Sequence, residues 1–153
     1  MVMLNDLVSP ANRLVVGLLR SPLGALPGRG LMVLEYTGRS SGRRFTIPVG
    51  YQRQDSAFIV LLSKPRAKRW WRNFREPWPA ELLVRRKRQS VVGVLIPPEQ
   101  PEFFDHIETT LRRLPWMGSQ LGGVKYDRAV GLTDAQRAVL TQHAAVVRFT
   151  PEP

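Results

Sequence analysis

The sequence of 153 residues contains no cysteine, which excludes disulfide bonds, thiol nucleophiles and thiolate metal sites. Histidine is almost as scarce. His106 and His143 lie 37 positions apart without a ligand-like neighbour at helical spacing, so we expect no metal site. No apolar run approaches the roughly 18 residues that a membrane-spanning helix requires. The N-terminus carries Asp6 and Pro10 where a secretory signal has a basic end and an unbroken apolar run, so we expect a cytoplasmic protein.

Acidic residues are also few, with 12 against 23 lysines and arginines, for a net charge of +11. The excess is confined to residues 39–88, where fourteen bases face three acids; the other 103 residues carry nine of each. A neutral scaffold therefore carries one cationic block. Such a block predicts a polyanionic partner: nucleic acid, an anionic membrane, or a phosphorylated or carboxylated small molecule.

The length predicts one domain with its own core, because the chain is too short for two domains of ordinary size. We expect this single domain to span residues 1–153. Its predicted parts are an N-terminal amphipathic helix and linker (1–28), barrel strands (31–97) with an inserted basic helix (66–76), and helices followed by a closing strand (98–153).

Six segments have the composition and boundaries of strands. Proline at Pro48 requires an edge, a bulge or a missing ladder bond in its strand, and we expect a hairpin joined near Gln89. Thr133 and Gln136 stand at capping-box spacing before a helix. The short connections favour antiparallel pairing, so the fold class is α+β, a small barrel or curled sheet with peripheral helices. The strand segments are LMVLEYT, RFTIPVGYQR, AFIVLLS, ELLVRRKR, SVVGVLI and AAVVRFT.

The segment RAKRWWRNFRE is tested with the α-helical period of about 100° per residue. This period places Ala67, Trp70, Trp71 and Phe74 on one apolar arc and the bases on the opposite side. It therefore predicts that Trp70 is a core residue and that Asn73, at the boundary between the two faces, can reach a polar ligand.

The stretch TGRSSGRRFTIPVGY, followed after the next strand by SKPRAKRWWRN, resembles the deazaflavin-dependent nitroreductase family. Members of that family show T-G-R-x-S-G, a proline in the next strand, S-K after the third strand and W-x-x-N. The resemblance covers residues 31–88. It implies a split β-barrel, the fold shared with flavin-binding oxidases, and the coenzyme F-420, whose phosphate and oligoglutamate tail lie along a basic groove; flavin mononucleotide is the alternative cofactor.

The resemblance also implies site residues. Within the turn, an arginine fork and glycine backbone are suited to a phosphate. Departures from the family pattern are Ser40 in place of a lysine, and Phe45 and Ile47 in place of an arginine and an asparagine. Tyr126, in a glycine-rich segment, is a candidate proton donor or, equally, a packing residue. The candidate cofactor-binding residues are Arg39, Ser41, Gly42, Arg43, Arg44, Pro48, Ser63, Lys64, Arg66, Lys68, Trp70 and Asn73.

The predicted function is hydride transfer from reduced F-420 to a small organic acceptor such as a quinone, an enone or a nitroaromatic, by a monomer or homodimer. The alternative is a non-catalytic split-barrel module. It would hold a fatty acid or other lipid, or lie on an anionic membrane through an N-terminal helix that starts at Ser9 and Pro10 and carries Arg13 and Arg20 beside leucines. Nucleic-acid binding is disfavoured, because the apolar arc buries the aromatic residues that base stacking needs.

Overall fold

The computed structural model describes residues 30–153. The predicted N-terminal helix, with its start at Ser9 and Pro10, lies outside these residues. Seven strands and two α-helices are present in the described range, joined by 3-10 helices. The strands are β1 (Leu31–Thr37), β2 (Arg44–Gly50), β3 (Gln52–Gln54), β4 (Ala57–Ser63), β5 (Trp78–Val84), β6 (Lys87–Ile96) and β7 (Ala144–Pro151). The α-helices are α1 (Pro101–Arg113) and α2 (Asp134–His143), and the 3-10 helices span Pro65–Ala67, Trp70–Phe74 and Pro115–Gln120.

The strands form one sheet in the order β2-β1-β5-β6-β7-β4-β3, and every neighbouring pair is antiparallel. The two strands at the ends of this order, β2 and β3, follow each other directly in the chain. The sheet must therefore curl to bring its two edges together. The curled sheet confirms the predicted α+β split barrel, and Pro48 lies on the edge strand β2, as its missing N–H requires.

Two predicted strand boundaries are wrong. The segment RFTIPVGYQR is two strands, because its first part pairs with β1 while Gln52–Gln54 pairs with β4 at the other end of the sheet. The hairpin between β5 and β6 turns at Arg85 and Arg86, with φ of 50° and 68°, while Gln89 pairs with Leu82 inside the ladder. A two-residue turn with positive φ is usually signalled by glycine or asparagine, and two arginines give no such signal.

The prediction of an inserted basic helix with an α-helical period is also wrong in helix type. Residues 65–74 form two short 3-10 helices separated by Lys68 and Arg69, and Lys68 has extended backbone angles. The side-chain amide of Asn73 donates to the Trp70 carbonyl at 2.9 Å, and such a bond competes with the helical ladder. Ala67 is exposed and Trp71 is half-buried, whereas Trp70 and Phe74 are buried. The predicted core position of Trp70 is therefore confirmed, and the single apolar arc is not.

Apolar residues pack on both faces of the sheet, because neighbouring residues of one strand point to opposite sides. Phe58 and Val60 of β4 belong to the core cluster that contains Trp70 and Phe74. Ile59, between them, belongs to the cluster covered by α1 and α2. The capping box of Thr133 and Gln136 is present, as predicted. No helix within residues 30–153 is long and apolar enough to cross a membrane.

Candidate active site

A cavity of about 470 Å³ lies between the edge strands and the loop that follows α1. We call it the aromatic cavity. Three of the predicted cofactor-binding residues line it: Pro48, Lys68 and Trp70. Its other side is formed by the 3-10 helix Pro115–Gln120, where Trp116 is 60% exposed. The remaining lining residues are Gly30, Val49, Gly50, Tyr51, Gln52, Ile59, Val60, Leu61, Leu62, Leu114, Met117 and Gln120.

A second, polar cavity of about 460 Å³ adjoins the first, since Gln120 lines both. Lys68 of the aromatic cavity donates through Nζ to Ser63 Oγ at 3.4 Å, and Ser63 lines the polar cavity together with Lys64. Lys64 has a left-handed backbone, φ 51°, which is uncommon outside glycine and clusters at functional sites. The other lining residues are Ser119, Gly122, Gly123 and His143.

The turn between β1 and β2 is folded on itself. Gly42 has φ of +68° and donates to the Gly38 carbonyl, while Gly38 donates to the Arg43 carbonyl. A Cβ on Gly38 would lie 2.5 Å from Ser41 Oγ and 2.9 Å from the Phe45 ring, so a side chain at this position would displace both neighbours. Ser41 Oγ accepts from the Arg43 N–H. The predicted phosphate cradle needs free N–H groups, and those of Gly38, Gly42 and Arg43 are already bonded within the turn.

Arg39 joins this turn to the segment after the Trp70–Phe74 helix. Its guanidinium donates to the carbonyl oxygens of Asn73, Glu76 and Pro77 at 3.0, 2.9 and 3.2 Å, and lies 4.2 Å from the centre of the Trp78 ring. Its backbone N–H donates to Asn73 Oδ1 at 2.8 Å. Both ends of the Asn73 amide are therefore used internally, and most of the Arg39 donors hold the chain together.

Arg44 belongs to an ion-pair network on the strands. Its guanidinium lies 3.1 Å from Glu81, and Arg88 contacts both Glu81 and the buried carboxylate of Glu35. The hydrogen bond with Glu35 raises the pKa of Arg88. Two cations of the basic block are therefore neutralised by acids on neighbouring strands.

A row of arginines was missed by sequence reasoning. Arg69, Arg72 and Arg75 line one cavity of about 560 Å³, which also includes Arg39 and Ser40, with Asn73 and Glu76. These arginines are three residues apart, and a 3-10 helix has 3.0 residues per turn, so a spacing of three stacks side chains on one face. An assumed α-helical period spreads the same residues over an arc and hides the row. Within residues 30–153 none of the three forms an ion pair.

The two tyrosine candidates occupy different places. Tyr126 is buried under α1 and donates its hydroxyl to Glu108 at 2.7 Å; burial and that bond raise its pKa. Tyr126 does not line the aromatic cavity, so the structure favours the packing role. Tyr51 does line it, and the Tyr51 hydroxyl makes no hydrogen bond within the described residues. The sequence analysis placed Tyr51 only within the strand segment RFTIPVGYQR.

The family model of the F420H(2)-dependent quinone reductases matches residues 16–114. The structure of an F420-H2 dependent reductase superposes with a TM-score of 0.54 at 13% identity, covering 79% of this chain and 94% of the other. The heme storage protein HutZ from Vibrio cholerae superposes with a TM-score of 0.53 at 12% identity, covering 85% and 87%. At such identities these structures show the common fold alone. No curated protein matches the sequence.

Proposed function

Given that the chain belongs to the F420H(2)-dependent quinone reductase family, we propose that it transfers a hydride from reduced F-420 to a quinone. Membership makes the chain an oxidoreductase that uses coenzyme F-420. The choice of a quinone over an enone or a nitroaromatic is the proposed part. It is supported by the description of the family and by the largely apolar lining of the aromatic cavity.

The observation that carries the proposal is the junction of the aromatic and polar cavities at Lys68 and Ser63. A deazaflavin joins a planar ring to a phosphate. The aromatic cavity, with Trp70 and Pro48 in its walls, suits the ring, and its volume lies in the range of roughly 300–1,000 Å³ typical of ligand sites. The polar cavity suits the phosphate, because Lys64 has no acidic partner within residues 30–153 and lies beside two glycines.

The row of Arg69, Arg72 and Arg75 suits the carboxylates of an oligoglutamate tail. Arginine pairs with carboxylates through two parallel N–H donors. The candidate cofactor-binding residues named from the sequence include Arg43, Arg44, Arg66 and Lys68 and do not include this row. Arg44 is paired with Glu81, and Arg66 lines another cavity. We therefore infer that the row, more than the β1–β2 turn, meets the tail.

When bound, reduced F-420 supplies a hydride to the acceptor. A quinone that gains a hydride becomes a hydroquinone anion, and one proton completes the hydroquinone. The ammonium of Lys68 at the cavity wall stabilises the negative charge that develops on the acceptor oxygen. Tyr51 lines this cavity, and its hydroxyl is available to donate. We propose that the Tyr51 hydroxyl supplies the proton and that water then returns a proton to the tyrosine.

The proposal is tested by mixing the purified protein with reduced F-420 and a water-soluble naphthoquinone, and following reoxidation of the coenzyme by its visible absorbance. We expect catalysed oxidation with the quinone, and slower oxidation with a nitroaromatic or an enone. Reduced flavin mononucleotide serves as the control donor. A rate equal to the reaction without protein would refute the reductase, and faster turnover of a nitroaromatic would refute the proposed acceptor.

The role of Tyr51 is tested by Tyr51→Phe against Tyr126→Phe, which removes the same hydroxyl from a site under α1. We expect Tyr51→Phe to lower kcat by about 100-fold, the low end of general acid catalysis, without changing the Kd for F-420. Tyr126→Phe should leave kcat unchanged. Equal kcat values for the two variants would assign the proton to solvent alone.

A further inference from the structure

The consecutive residues Trp70 and Trp71 line different cavities. Trp70 faces the aromatic cavity, whereas Trp71 lines a separate space of about 440 Å³ between the 3-10 segments, β6, β7 and the start of α1. We call this space the Trp71 cavity. Its walls are mainly apolar, and include Leu95, Ile96 and Phe103. The proposed acceptor site does not use it, and the proposed cofactor site shares only Arg72 with it.

The charges around the Trp71 cavity have one sign. Arg66 and Arg72 line it, both are exposed, and no acidic residue of the described chain lines it. Within residues 30–153 neither arginine forms an ion pair. Because both arginines are exposed while most of the other lining residues are apolar, with Thr141 and Gln142 the polar exceptions, the cavity has a cationic side facing water and a mainly apolar interior.

The wall formed by Trp71 is held in place. Its indole N–H donates to the Pro65 carbonyl at 2.8 Å, so the polar atom of the ring is already satisfied. Arg72 and Arg75 lie 5.6 and 5.5 Å from the ring centre, within the range of cation–π contact. A ring fixed in this way offers a preformed apolar surface, and binding to a preformed surface avoids the cost of ordering it.

We propose that the Trp71 cavity binds a long-chain carboxylate, with the chain against Trp71, Leu95 and Phe103 and the carboxylate at Arg66 and Arg72. The charge complementarity carries this choice: a neutral apolar ligand would leave the two guanidiniums without a partner, and a small anion would leave the apolar walls exposed. The volume of about 440 Å³ lies in the usual range of small-ligand sites. Apart from Arg72, which it shares with the arginine row, the site is separate from the proposed hydride transfer.

The test is calorimetric titration of the full chain with octanoate, decanoate and dodecanoate, each below its micellar concentration. F-420 cut back to its phosphate is present at saturation, because the tail of the full coenzyme would compete for Arg72. Affinity should rise about fourfold for each methylene that becomes buried, and level off when the cavity is full. Dodecanol, which has the chain without the charge, should bind more weakly than dodecanoate. An affinity that does not change with the length of the fatty-acid chain, or the absence of saturable binding, would overturn the proposal.

Two double variants with the same loss of charge locate the site. Arg66→Gln with Arg72→Gln should weaken dodecanoate binding by roughly tenfold, because two exposed charge contacts are lost. Arg85→Gln with Arg86→Gln, in the β5–β6 turn, should leave it unchanged. Equal weakening in both would show nonspecific attraction to a basic protein. Sedimentation of the free protein is measured in parallel, because dissociation of a dimer by dodecanoate would show that a second copy occupies the cavity.

Discussion

The β1–β2 turn and the arginine row are both rich in positive charge, yet their arginines have opposite surroundings. In the turn, Arg39 donates to three backbone carbonyls, and Arg44, where the turn enters β2, pairs with Glu81. In the row, Arg69, Arg72 and Arg75 have no carboxylate partner within residues 30–153 and line one cavity. The comparison shows that the density of cations in a sequence does not measure their availability to a ligand. Whether a cation is available depends on the acids and carbonyl oxygens that lie beside it in the fold.

The largest expected effect comes from Trp70, the buried residue beneath the row. Trp70→Ala removes a large core side chain that is 2% exposed, and should lower the free energy of unfolding by about 3–5 kcal/mol. Chemical denaturation measures this. Trp116→Ala is the control, since Trp116 is exposed and should change stability by less than about 0.5 kcal/mol. Similar small losses for both variants would mean that Trp70 does not anchor the row.

The second largest effect is expected for Arg39, and it shows whether this residue stabilises the turn or binds a ligand. Arg39→Ala should lower the free energy of unfolding by about 1–2 kcal/mol, because several charged hydrogen bonds to carbonyls are lost from an exposed position. Arg43→Ala, in the same turn, should have almost no effect, since the Arg43 side chain makes no hydrogen bond within the described residues. If Arg39→Ala left stability intact and only weakened F-420 binding, Arg39 would be a cofactor ligand after all.

The smallest stability effect is expected in the row itself. Changing Arg69, Arg72 and Arg75 together to glutamine should lower the free energy of unfolding by at most about 1 kcal/mol, because none of them has an ion-pair partner in the described residues and the contacts of Arg72 and Arg75 with Trp71 are exposed. Thermal melts at low and high salt measure it. A marked loss of stability at both salt concentrations would show that these arginines, like Arg39, hold the fold together.

Elements that repeat a local pattern were predictable from the sequence. The β-strands, α1, and the Thr133–Gln136 capping box follow from alternation, helical periodicity and one pair of side chains at fixed spacing. The burial of Trp70 was also predictable, because the α-helical period places it on the apolar side. The position of Pro48 on an edge followed from its missing N–H.

Features that depend on tertiary neighbours were not predictable. The pairing of Arg44 with Glu81 requires β1 to lie between β2 and β5, which no local pattern indicates. The hydrogen bond between Arg39 and Asn73 joins residues that are 34 positions apart in the sequence. The arginine row was hidden by the α-helical period, and the turn at Arg85 and Arg86 carried no glycine or asparagine. The motifs therefore predicted cofactor-binding residues without separating the cations that stabilise the fold from the cations that are available to a ligand.

Titration with oxidised F-420 in two forms tests the central claim most directly. One form carries several glutamates and the other is cut back to its phosphate, and both are titrated into the wild type, the triple glutamine variant of the row, and Arg44→Gln over a salt series. The account predicts that both forms bind the wild type. The tail should add about 0.2–1 kcal/mol per carboxylate pair, a gain that shrinks with salt and disappears only in the triple variant. Failure of either form to bind, or a tail gain that survives loss of the row, would contradict it.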